Sequence, residues 1–169
     1  MADTTVQAML DELDGEAAAT RRLLERVPGD KLGWRPHPRS MTLGELALHV
    51  AGIPGVLAGL LEQDDLNVTD VDFTPPSPES AEQLLGVLDD ALAAAHAQLG
   101  SWDDATAQSE WTLRNGDQTV FTVPRAGLAR TLMLNHWYHH RGQLTVYLRL
   151  LDVDVPATYG RSADENPFG

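Results

Sequence analysis

Cysteine is absent from the 169 residues. That removes disulfides, thiolate metal ligands and any nucleophilic-cysteine mechanism. Lysine is nearly absent too. Lys31 stands alone in an expected loop, so amine-based covalent chemistry has a single candidate. Positive charge is scarce: 12 Lys and Arg face 25 Asp and Glu, a net charge of -13. Such a surface repels polyanions, which argues against nucleic acid as a partner. It repels anionic membrane surfaces for the same reason. No run appears long enough to span a bilayer. The N-terminus, MADTTVQAML, lacks a basic region followed by an apolar one, so no signal peptide and a cytoplasmic location are expected. Internal repeats and low-complexity tails are also missing. The length predicts one domain over 1–169, large enough to bury a core.

What is present is helical periodicity. A first helix is expected from about Thr5 to Val27, with Thr4 and Gln7 at capping-box spacing and Pro28-Gly29 as its stop. Its apolar face is Val6, Leu10, Leu13, Ala17, Leu24 and Val27. A second helix follows the T-x-x-E box of Thr42 and Glu45 and carries Leu43, Leu46, Val50, Ile53, Leu57 and Leu60. Pro54 has no N–H for the Val50 carbonyl, so a kink or loosened turn is expected near residue 52. Residues 64–77 read as a long acidic connection. A third helix is expected from Ser77-Pro78-Glu79, with a stripe of Leu85, Leu88, Leu92, Ala95 and Leu99. EWTLRNGDQTVFTV, residues 110–123, predicts a short hairpin turning at Asn115-Gly116 and lying on the helices. A fourth helix runs from about Pro124 to Leu151, and the remainder is irregular. The predicted fold is all-α: a four-helix bundle with a long crossover connection and a short β-hairpin before the last helix.

Three of the six histidines crowd into NHWYHHRGQ, residues 135–143. His136 and His140 are four apart, which places them one turn apart on one face. That is the geometry with which a helix chelates a metal through two imidazoles. His139, three from His136, could share the face instead. Periodicity leaves the choice open: Met133, His136, His140, Leu144, Tyr147 and Leu151 form one stripe, and Leu132, His136, His139, Val146 and Leu150 another. His49, between Leu46 and Ile53, points inward from the second helix. Three imidazoles from two facing helices would leave a coordination position open, the mark of a catalytic rather than a closed structural site. His96 is expected at the edge of the core and His37 in a loop. Glu45 is explained by capping. Arg141 is expected in an ion pair or against a substrate anion, because guanidinium offers no lone pair.

WRPHPRSMTLGELALHVAG and LNHWYHHRGQLTVYLRLLDVDVPATYGRSADE resemble the N- and C-terminal signatures of the DinB/YfiT-like family of metal-dependent enzymes. The second carries H-x-x-x-H-R-G-Q-L. The resemblance spans the whole chain. It implies a four-helix bundle holding a divalent metal, zinc or nickel, on three histidines. Carried onto matching positions, these are His49, His136 and His140, with His139 a neighbour. Arg141, Gly142 and Gln143 match the R-G-Q; Gly142 is read as permitting close helix approach, and Gln143 as a hydrogen-bonding support for the site. Characterised relatives include transferases and isomerases that use low-molecular-weight thiols. Some mycothiol-dependent ones have a carboxylate as one ligand, where this chain has histidine at all three positions. The family's name comes from DNA-damage induction of an early member and implies no DNA binding.

The expected function is therefore a metal-dependent transferase that activates a small thiol cosubstrate. A hydrolase activating water at the same metal is the second reading, and a non-catalytic metal- or ligand-binding bundle the third. Relatives of this kind are often dimers, so a homodimer is expected.

Overall fold

A computed structural model describes residues 4–169, with Thr4 known by its backbone alone. The expected Thr4–Gln7 pairing therefore lies outside the described residues. The chain is mostly helical, with a small three-stranded sheet. Helix α1 spans Thr4–Leu24 and α2 spans Leu43–Glu62. The Thr42–Glu45 capping box forms as read, each side chain accepting from the other's backbone N–H at 2.7 and 3.1 Å. Helix α2 runs without interruption through Pro54, so the loosened turn expected near residue 52 does not break it. It is the one helix among the described residues long and apolar enough to cross a bilayer, but most of it is buried inside the protein.

Helix α3 spans Gln83–Gly100. It starts later than Ser77-Pro78-Glu79 suggested. Ahead of it, the Gln83 side chain reaches back to accept from the Glu79 N–H at 2.9 Å. Its buried stripe is Leu84, Leu88, Ala91, Ala95 and Leu99; Leu85 and Leu92 are only partly buried. A backbone approach joins α2 to α3. A Cβ added at Gly55 would lie 2.8 Å from the Ala91 Cα, so only glycine fits there.

The connection after α2 contains a strand that periodicity missed. Strand β1, Asp65–Asn67, pairs in parallel with β2, Glu110–Asn115, which pairs antiparallel with β3, Gln118–Pro124. Three residues, DLN, carry no readable alternation; β1 exists because β2 offers it an edge. The hairpin forms where expected, one residue out of phase. Asn115 pairs with Gln118, so Gly116 and Asp117 are the turn. Gly116 has φ +58°, which glycine adopts without strain. The short helix α4, Asp104–Gln108, was not anticipated.

The sheet is anchored by Trp111, fully buried, whose indole donates to the Leu60 carbonyl at 3.2 Å. Arg125 closes the corner. Its guanidinium donates to the carbonyls of Leu61 and Gln63 and pairs with Asp64, satisfying the otherwise unpartnered C-terminal end of α2.

The last helical stretch covers Arg125–Leu150, close to the expected limits, but in three parts: α5, Arg125–Leu128; a π-helical stretch, Ala129–Asn135; and α6, His136–Leu150. Among the described residues, 151–169 contain no helix or strand.

Candidate metal centre

The π-helical stretch delivers His136 to the start of α6. There the His136 N–H bonds to Thr131 and Met133 rather than to Leu132. The Leu132 carbonyl instead meets the His136 ring, whose Nδ1 lies 3.2 Å away. Nδ1 carries the proton in that bond, which leaves the Nε2 lone pair free. One turn on, the His140 Nδ1 lies 2.8 Å from the Gln143 Oε1, and the same reasoning frees its Nε2. Gln143 also bonds through its amide nitrogen to His139 at 3.1 Å. Ligating histidines are held in this way by a partner on the other ring nitrogen, which fixes both tautomer and orientation.

His49 comes from α2 and faces this pair. Its Nε2 lies 3.4 Å from the His136 Nε2. Its ring centroid is 4.6 Å from that of His140 and 5.2 Å from that of His136. One nitrogen from each of the three lies within 4.8 Å of the others. Tetrahedral bonds of ~2.1 Å would place nitrogens about 3.4 Å apart, so the cluster has the dimensions of a metal shell. All three rings are only partly buried. Among the described residues no carboxylate joins the group.

Burial disfavours charge on all three rings, and their mutual repulsion adds to it. The His49 pKa falls from the ordinary 6.5 to about 4, first by desolvation and then by the nearby rings of His140 and His136. His136 and His140 are also lowered, chiefly by desolvation. Neutral imidazole is the ligating form, so the cluster is poised to accept a cation near neutral pH.

The remaining predicted positions separate clearly. The stripe of Met133 and Leu144 faces inward, whereas Leu132, Val146 and Leu150 are exposed, as is His139. His96 pairs with Asp14 at 2.7 Å on another face, and His37 accepts from the Arg39 N–H in its loop. Arg141 is buried and bonded to Glu16, Thr20 and Tyr159, so it is structural. Gly142 corrects the reading of close helix approach: a Cβ there would meet nothing within 4 Å. Sequence reasoning saw that Val50 lacks its helical donor but not what replaces it. The indole of Trp137, fully buried, donates to the Val50 carbonyl at 2.8 Å.

A mostly helical scaffold gathers three partly exposed imidazoles from two helices, an arrangement compatible with metal binding. The family model of the DinB family matches residues 1–166, and the chain belongs to that family. An uncharacterised Bacillus subtilis protein, YrdA, is 29% identical over 167 residues, spanning 95% of this chain and 92% of its own. A DinB-like protein from Bacillus cereus superposes with a TM-score of 0.70 at 25% identity, covering 90% of this chain and 97% of that one. A second, YjoA from Bacillus subtilis, gives 0.69 at 18% identity, covering 91% and 99%.

Proposed function

We propose that the protein is a divalent-metal-dependent transferase that uses a low-molecular-weight thiol, with His49, His136 and His140 as the metal ligands. The observation that carries this reading is the convergence of three neutral imidazole nitrogens within 4.8 Å, without a fourth protein ligand among the described residues. Leu132 and Gln143 hold two of the rings with Nε2 presented to the centre. Zinc or nickel suits an all-imidazole set. A divalent ion bound there supplies Lewis acidity that lowers the pKa of a bound thiol, so that a nucleophile exists near neutral pH. A chain without cysteine must take that thiol as a cosubstrate.

On this reading the long helices act as a four-helix bundle of one domain, working in the cytoplasm as a homodimer. Val146 and Leu150, apolar and exposed on α6, support the dimer. Light scattering near 18.4 kDa would remove it.

Two experiments test the function. Metal analysis of protein purified without an affinity tag should give one divalent ion per chain, lost in His136→Ala; a full equivalent in that variant refutes the ligand set. Consumption of an electrophile should then require added thiol, and turnover with water alone would replace transfer by hydrolysis.

A further inference from the structure

His136 and His140 are placed relative to each other by a single helix, one turn apart, with ring centroids separated by 4.6 Å. The distance from His49 to that pair has no such guarantee. It depends on how α2 sits against α6, and the 3.4 Å between the facing Nε2 atoms leaves little slack.

A buried contact joins the next residues in sequence. Val50 follows His49 and Trp137 follows His136; both are fully buried, and the Trp137 indole donates to the Val50 carbonyl at 2.8 Å. The carbonyl needs this donor because the residue four further on is Pro54, which has no N–H. We infer that Pro54, the Val50 carbonyl and the Trp137 indole form a clamp that holds His49 at ligating distance from His136 and His140. Trp137 is thus a positioning residue for the metal centre, an inference that rests on the metal-binding reading above.

An apolar side chain could fill the same space, but it would not fix a direction. A hydrogen bond from a side chain on α6 to a backbone atom on α2 sets both the height of one helix on the other and its rotation. It does so at the turn that carries the ligands. Trp111 provides an internal comparison. It is equally buried and also donates to a carbonyl of α2, at Leu60. That carbonyl lies eleven residues beyond His49, about 16 Å along the helix at ~1.5 Å per residue. It also accepts from the Gln63 N–H at 3.3 Å, so it does not depend on the indole.

The test is a cobalt(II) titration of untagged, metal-stripped protein followed by visible absorption, with urea unfolding of the metal-free forms measured in parallel. Trp137→Phe should weaken cobalt affinity about tenfold or more, the size of effect seen when the supports of ligands are lost. It should also alter the absorption spectrum. Trp111→Phe should lose stability while keeping wild-type affinity and spectrum. Wild-type affinity in Trp137→Phe overturns the clamp, as does equal weakening by both substitutions. Should Trp137→Phe not fold, Pro54→Ala takes its place. It gives α2 an N–H that competes for the Val50 carbonyl, so affinity should fall without easier unfolding; unchanged affinity then overturns the clamp. A wild-type protein that binds no cobalt removes the metal centre itself and the clamp's role with it. That result is distinct from a wild type that binds cobalt no better than its Trp137→Phe variant.

Discussion

The orphaned carbonyl of Val50 makes a prediction about stability that needs no metal. In the native chain, Trp137→Phe leaves a buried carbonyl without a donor, which costs about 1–3 kcal/mol. The smaller ring adds a packing loss of about 1–2 kcal/mol. In a Pro54→Ala background the first part should vanish, because the alanine introduced there brings an N–H that can complete the helical bond to Val50. The packing loss remains. The two substitutions should therefore couple by the vanished part, about 1–3 kcal/mol, with Trp137→Phe the milder change when Pro54 is already replaced. Urea unfolding of the four metal-free proteins measures this directly. For a chain of this length each kcal/mol corresponds to roughly 2–4 °C in Tm, so thermal scans should agree. A coupling within about 0.5 kcal/mol of zero would refute the reasoning, since independent sites add to within that margin.

Other outcomes follow from the same geometry. The His49 pKa is depressed to about 4 in the folded protein against 6.5 as an ordinary histidine. The unfolded chain therefore binds more protons between those values. The metal-free protein should keep this contribution to stability above pH 6.5 and lose it as pH falls toward 4, with metal affinity declining over the same range; flat urea midpoints from pH 7 to pH 4 would contradict this. Gln143→Leu should weaken metal binding by about 10–100-fold, because His140 loses the partner of its Nδ1, and titration with zinc would show it. The two glycines should respond in opposite directions. Gly55→Ala drives a methyl into the Ala91 backbone and should cost about 1–3 kcal/mol. Gly142→Ala meets open space and should stabilise by about 0.5–1 kcal/mol. Glu16→Leu leaves the buried Arg141 without its carboxylate and should destabilise by about 3 kcal/mol in denaturant melts.

Much of the helical framework is written in short-range signals. The Thr42–Glu45 box sets the start of α2 because both partners lie within one turn. Gly116 turns the hairpin because the turn needs positive φ locally. The triad was legible for a different reason. An i, i+4 pair on one helix is a local pattern, and His49 joined it from the inward face of the second helix, but choosing between His139 and His140 required the family resemblance. What stayed hidden depends on partners distant in sequence. Strand β1 has no pattern of its own and is created by β2. Gly142 looked like a packing glycine beside the functional motif, yet it faces open space, while Gly55, unremarkable in sequence, is the one that meets a neighbouring backbone. Helix α3 is a local miss instead: it begins at Gln83, later than its proline signal, and the Gln83 side chain bonds back to the Glu79 N–H.

The seven residues from Ala129 to Asn135 act as a phase setter. In a π-helical stretch each turn holds an extra residue relative to an α-helix. Every side chain downstream therefore takes its compass bearing from how that stretch is wound. Winding the same seven residues as a regular α-helix would swing the downstream faces by about 100°, whereas the π-helical turns absorb that extra residue. His136 and His140 would then look away from His49 although no ligand had been altered. The aim of the proposed ligands on α6 is thus set upstream, by the winding of a stretch that contains neither of them.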